Sequence, residues 1–190
     1  MTALDGGSPD HPELPEAVDL LVLCTGNAAR SVMAGCMLAQ LAEDLGTPLR
    51  VTTAGTHALE GQPASMRTRA ALAAVGGFGG RPLSAHRSRQ LDAFGLDRVD
   101  LVVAMEADHV RFVRRRFPEA APRTATLRRL CRELPPSPPG LADRVGALRL
   151  DQAVLDDAED VPDPAGGDDE TYAACAAELW ELCQELAVRL

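Results

Sequence analysis

Hydrophobic positions along the chain fall into short unbroken runs that alternate with longer stretches of helical spacing. Leu20–Leu23 is a continuous apolar run and reads as a buried strand ending directly on Cys24. From Ser31 onward the spacing becomes helical, with Met33, Met37, Leu38 and Leu41 on one side. Gly46-Thr-Pro breaks that pattern, and Leu49–Ala54 reads as a second strand. An alanine-rich helix is predicted over Ala64–Val75, closed by Gly76-Gly77. A short helix follows Leu91, and Val99–Met105 reads as a third buried strand. The pattern then predicts a helix over 107–117 stopped by Pro118, a short fourth strand over Thr124–Leu127, and a helix over Arg128–Leu134. Leu141–Leu155 holds a further short helical pattern. Glu170–Leu190 reads as a long amphipathic helix with Leu179, Leu182, Leu186 and Val188 as its core contacts.

Strands alternating with helices at this spacing predict an α/β fold: one domain, a doubly wound four-stranded parallel sheet with helices on both faces. Such sheets bind ligands at the carboxyl ends of their strands. Cys24 lies at such an end, with the segment Cys24-Thr-Gly-Asn-Ala-Ala-Arg30-Ser31 between strand and helix. Backbone N–H groups of residues 25–30 would line a small concavity with no helical carbonyls to satisfy them. The helix N-terminus adds partial positive charge, and Arg30 offers a planar fork for two oxygens. Positive surroundings favour a thiolate over a thiol. The segment therefore reads as a phosphate-binding loop after the first strand, with Cys24 as a nucleophile aimed at phosphorus. The blander reading is a buried cysteine ending a strand and an arginine capping a surface helix.

Composition narrows the setting. The 190 residues suit one domain with a sizeable core. No apolar run approaches a membrane span, and the N-terminus lacks the charge-then-apolar pattern of a secretion signal. Residues 1–16, rich in Pro, Gly and Asp, read as a disordered lead to a domain over 17–190. Five cysteines without paired spacing argue against a disulfide scaffold or zinc site, and a reducing cytoplasm fits them best. Cys36, Cys131, Cys175 and Cys183 read as core residues. The net charge of −9 argues against nucleic acid as the main partner. Every basic side chain is arginine; they crowd 111–132, whereas 151–190 is mostly acidic, so the two stretches either face each other or attract different partners.

The loop segment resembles the signature of the low-molecular-weight protein tyrosine phosphatase family, placed near the N-terminus as in that family. The resemblance implies that Cys24, Arg30 and Asp163 are catalytic, and that Thr25, Gly26, Asn27, Ala28, Ala29, Arg30 and Ser31 bind phosphate. A departing oxygen or nitrogen must be protonated, which calls for a carboxylic acid; the family keeps it in an Asp-Pro pair before the last helix, here Asp163-Pro164. By the same resemblance Asn27, Ser31, Thr53 and His86 support the loop, with His86 buttressing Asn27 and Ser31 donating to the cysteine sulfur. His57, Leu59 and Ala165 stand as pocket walls. Relative to the family pattern, residues 135–160 form an insertion opening on Pro135-Pro-Ser-Pro-Pro-Gly, a rigid exposed linker.

The resemblance implies a phosphatase acting on a phosphomonoester of protein phosphotyrosine type through a cysteinyl-phosphate intermediate, without metal or cofactor. Its implied partner is a phosphorylated protein or small-molecule phosphate, with no nucleic acid and no membrane, bound by a monomer or weak dimer. The chain departs from the pattern at the substrate side. Ala29 replaces a second loop cysteine, Ala28 replaces a larger pocket residue, and Ala165-Gly166-Gly167 replaces the usual aromatics. A pocket without aromatic walls clamps a phenyl ring poorly. Cys-Thr-Gly-Asn and Asp-Pro-x-Gly-Gly are closer to the bacterial branch that includes protein-arginine phosphatases, which keeps a small threonine at the position of Ala28. Protein phosphoarginine and a small phosphorylated metabolite are therefore the alternative substrates. A thiol-dependent arsenate reductase and an inactive anion-binding module complete the readings.

Overall fold

The protein is described here from a computed structural model covering residues 17–80, 83–136, 138 and 140–190. The expected disordered lead over 1–16 and two positions of the Pro135–Gly140 stretch lie outside the described residues. Four strands form one sheet: β1 (Val18–Cys24), β2 (Leu49–Gly55), β3 (Leu101–Ala104) and β4 (Thr124–Thr126), in the order β2-β1-β3-β4. All neighbours are parallel. β1 is central, and both of its faces are buried, which is why Leu20–Leu23 reads as a continuous apolar run rather than an alternation.

Among the described residues there are six α-helices: α1 (Arg30–Leu45), α2 (Met66–Ala73), α3 (Ala107–Arg116), α4 (Leu127–Glu133), α5 (Leu141–Ala147) and α6 (Asp169–Ala187). Leu20, Val22 and Cys24 join a core with Met33, Met37 and Leu38 of α1 and Leu179, Cys183 and Leu186 of α6. Leu21 and Leu23 face the other way, onto Val102, Val113 of α3 and Ala120. The doubly wound reading thus holds, with helices on both faces.

Several boundaries move for local reasons. α2 starts only at Met66 because Ser65 caps it, its side chain accepting from Thr68 N–H. Pro118 opens a 3-10 turn over Pro118–Arg123, and α3 ends at Arg116. The helical pattern of 141–155 is realised only over Leu141–Ala147, because Arg149 turns left-handed at φ 50° and ends it. Val188 is not a core contact: it lies past the end of α6, 67% exposed, and Cys175, Ala176 and Cys183 take the interior positions instead. Cys131, Cys175 and Cys183 are buried, whereas Cys36 is only half-buried. Burial pushes the Cys131 and Cys175 thiols up to about 12, and the Cys183 thiol higher still, so none of these three is a nucleophile at neutral pH.

The arginine-rich and acidic stretches face each other. Arg111 pairs with Asp157, Arg128 with Glu178, and Arg129 and Arg132 both with Glu159. Arg114 reaches the carbonyls of Leu150 and Ala153. Together these contacts carry the chain from α5 back to the carboxyl edge of the sheet. There Val161 N–H donates to Met105 O at 2.8 Å, and Asp160 Oδ1 accepts from Ala107 N–H at 2.7 Å, capping α3. Asp163 follows directly.

Candidate active site

β1 runs alongside β2 on one side and β3 on the other, so the chain reverses direction of winding at β1, where open α/β sheets form a crevice. The register pairs Leu23 with Ala104, which sets Cys24 level with Met105 and places Glu106 just beyond the strand end. The loop from Cys24 to Ser31 lies in this crevice and is buried apart from Ala28 and, in part, Thr25 and Gly26.

Asn27 is the loop's pivot. It is fully buried and left-handed at φ 50°, a region Asn tolerates better than other side chains. Its Nδ2 donates to Ser31 Oγ at 3.0 Å and Thr53 Oγ1 at 2.9 Å, and its Oδ1 accepts from Arg89 N–H at 3.0 Å. Its carbonyl contacts His86 Nε2 at 3.0 Å, which must be the donor because a carbonyl only accepts. Thr53, His86 and Ser31 are thus all brought to Asn27.

Two donors converge on the sulfur. Asn27 N–H lies 3.2 Å from Cys24 Sγ. Ser31 Oγ lies 3.0 Å away and also accepts from Asn27; toward a thiolate, which can only accept, its hydroxyl is the donor. This arrangement suits a sulfur anion.

The loop carbonyls are held outward. Cys24 O accepts from Thr56 N–H and Thr25 O from His57 N–H, both at 2.9 Å; Asn27 O takes His86, and Ala28 O takes the Thr68 hydroxyl at 3.0 Å. A planar trans peptide sets each N–H opposite its C=O, so the N–H groups of residues 25, 26, 28 and 29 turn away from these partners, into the loop. α1 begins at Arg30 with Ala29 as its N-cap, and no side chain caps it, whereas Ser65, Thr126 and Asp168 cap α2, α4 and α6. The helix presents its first N–H groups uncovered by protein side chains, the arrangement that binds oxyanions.

Gly55 closes the loop from beneath. A Cβ there would lie 2.5 Å from Thr25 O and 2.9 Å from both Asn27 N and the Ala58 Cβ. Only a glycine lets the end of β2 pass this close.

Arg30 is buried and bridges both sides of the crevice. Its Nη1 bonds Glu106 and, at 2.9 Å, Val161 O; its Nη2 reaches Asp163 Oδ2 at 2.6 Å and Thr25 Oγ1 at 3.4 Å. Asp163 is thus brought to Arg30 from 133 positions away, and its Oδ1 also accepts from Ala165 N–H at 3.1 Å. Of the wall residues, Ala165 sits in this acid loop. His57 is exposed and sets its ring edge on Phe112 at 5.6 Å, and Leu59 is 77% exposed.

Glu106 and His109 were not singled out by the sequence reading. His109 is buried, and its Nε2 lies 3.0 Å from Thr25 Oγ1 and 3.4 Å from Glu106 Oε2. Burial, reinforced by the Arg30 charge, pushes its pKa down to about 3, so the ring is neutral. Its one proton belongs on Nε2, facing two acceptors, because Nδ1 is buried without a partner. Position at the carboxyl end of the strand beside β1 was the available signal for Glu106. The described residues contain no group of three His, Cys, Asp or Glu side chains placed to hold a metal ion, and no described helix is long and apolar enough to cross a membrane.

Known proteins share this chain's sequence pattern and its fold. The family model for "Low molecular weight phosphotyrosine protein phosphatase" matches residues 19–143. A protein-arginine-phosphatase of Geobacillus stearothermophilus is 33% identical over 172 residues, 90% of this chain and 95% of that protein. A low molecular weight protein-tyrosine-phosphatase of Streptomyces coelicolor is 36% identical over 156 residues, covering 80% and 81%. Among solved structures, the arginine phosphatase from Geobacillus stearothermophilus superposes with a TM-score of 0.67 at 32% identity, over 90% of each chain. The low molecular weight protein tyrosine phosphatase from T. tengcongensis superposes with a TM-score of 0.72 at 29% identity, over 92% of this chain and all of that one.

Proposed function

The chain belongs to the low molecular weight phosphotyrosine protein phosphatase family, whose members are cysteine-dependent phosphatases, and from that premise we propose that Cys24, Arg30 and Asp163 dephosphorylate a protein side chain. The observation that carries this reading is the convergence of Ser31 and Asn27 on the sulfur, at the floor of a loop whose N–H groups face inward. Cys24 thiolate attacks phosphorus in line. Arg30 and the loop amides hold the equatorial oxygens, supplying the positive field at the place where charge is carried. Asp163 protonates the leaving atom, then takes a proton from the water that cleaves the cysteinyl phosphate. Ser31 donates to the sulfur and eases its departure in that second step. Glu106 holds Arg30 Nη1, which leaves Asp163 to exchange its place on Nη2 for a substrate oxygen.

Phosphoarginine is the second reading. Ala28, Ala165, Gly166 and Gly167 put no ring around the pocket, and arginine phosphatases are among the relatives spanning nearly the whole chain. On a phosphoarginine substrate Asp163 would protonate the departing guanidino nitrogen.

The experiment is steady-state hydrolysis of a small aryl phosphate by wild type, Cys24→Ser and Asp163→Ala. Turnover lost in the first variant and lowered at least about 100-fold in the second is the expected result. Wild-type turnover no greater than that of Cys24→Ser, with phosphate still bound, would replace catalysis by anion binding. The ratio of kcat/KM on phosphoarginine to that on phosphotyrosine peptides then separates the two substrates.

A further inference from the structure

The first turn of α2 makes a contact that this reaction scheme does not use. Thr68 is fully buried, and its hydroxyl donates to Ala28 O at 3.0 Å. That commits its single proton. Ser65 Oγ lies 2.9 Å from Thr68 Oγ1 and accepts from Thr68 N–H, so the Ser65 proton goes to Thr68. Protons therefore run in one direction, from Ser65 to Thr68 to Ala28 O, each bond polarising the next.

Among the described residues, Ala28 O has Thr68 as its hydrogen-bond donor and no second one. Ala28 and Ala29 carry no side-chain oxygen, and Ala29 sits at φ −130°, ψ −83°, outside the helical and extended regions. The carbonyls of Cys24 and Thr25 are held by main-chain N–H groups and that of Asn27 by His86. The orientation of the Ala28–Ala29 peptide, and with it the direction of Ala29 N–H, depends on one hydroxyl of a helix that lends no atom to the loop.

We propose that Thr68, set by Ser65, is a positioning residue of the phosphate loop: holding Ala28 O toward α2, it aims Ala29 N–H at the bound oxyanion. This rests on reading Cys24–Ser31 as the anion cradle.

The test measures inorganic phosphate binding by calorimetry in wild type, Thr68→Val, Thr68→Ser and Ser65→Gly, alongside kcat, KM and Tm. Removing one oxyanion donor outright costs about 10²–10³ in rate, so misaiming one should weaken phosphate by roughly tenfold in Thr68→Val. Thr68→Ser, which keeps the hydroxyl, should restore wild-type affinity. Ser65→Gly, a mild change at a cap, should shift affinity the same way by less. A purely structural Thr68 would lower the Tm of Thr68→Val and leave the phosphate affinity of the folded protein unchanged, and that result overturns the proposal. Should Thr68→Val fail to fold, Ser65→Gly decides: unaltered phosphate affinity there overturns it equally. Phosphate binding needs no turnover, so an inactive wild type would defeat the catalytic reading while this question is still settled by affinity.

Discussion

Asn27 has every polar group engaged: main-chain N–H on the sulfur, carbonyl on His86, and both side-chain ends on three further residues. Two imidazoles brace the loop, His86 at Asn27 O and His109 at Thr25 Oγ1. His86 has its pKa lowered by burial, against the opposing pull of its bond to Asn27 O, and His109 is lowered to about 3. A histidine with a depressed folded-state pKa contributes stability that is complete above its unfolded value of about 6.5 and is lost as pH falls toward the folded value. Stability should therefore decline below about pH 6.5, at about 1.4 kcal/mol per pH unit for the His109 proton. Unfolding by denaturant between pH 7 and 4 checks this; His109→Gln should flatten the decline, and a slope unchanged by that variant would refute the assignment. Cys24, Arg30 and Asp163 were legible because motif and spacing mark them. Glu106, His109 and Thr68 were not, because their importance depends on which atoms the sheet register and the α2 cap bring together, and no local pattern encodes that.

Single elements are positioned by what closes their ends. α1 begins at Arg30 behind an alanine N-cap that offers no side-chain bond, while α3 is capped by Asp160 from the returning chain. That return is anchored by Glu159, buried among Thr126, Arg129 and Arg132. Burial alone would push the Glu159 carboxyl up, but its bonds to Arg132, Thr126 and Arg129 outweigh burial and hold it below the usual carboxylate range. Breaking a buried ion pair from one side costs about 3–5 kcal/mol. Glu159→Ala should lower stability by about that much, and, because Asp163 lies four positions on, should reduce kcat more than it raises KM. Thermal unfolding and steady-state kinetics together read this; a stable variant with wild-type kcat would remove Glu159 from any part in holding the acid loop. Strands and most helices were legible from apolar runs, whereas the path from 141 to 160 was not. Its course is fixed by arginine side chains reaching distant carbonyls, which leaves no periodicity to read.

The whole molecule is arranged around the reversal at β1. Three lengths of chain distant in sequence, β1 with its loop, β3 with Glu106, and the return before α6 with Asp163, meet at one end of a parallel sheet. Alternation of strand and helix announced that sheet, whereas charge blocks of opposite sign over 111–132 and 151–190 left two outcomes open, and Arg111–Asp157 and Arg128–Glu178 show the two stretches meeting. What alternation cannot announce is clearance: β2 passes directly under the loop at Gly55. Gly55 touches no substrate, yet any side chain there must shift Thr25 O or Asn27 N. Displacements near an ångström in a catalytic loop cost about 100-fold, so Gly55→Ala should keep the fold by circular dichroism and lose activity on that scale. In a saturation scan scored by growth or turnover, Gly55 would rank beside Cys24 and Arg30, an empty volume as intolerant of change as the nucleophile itself.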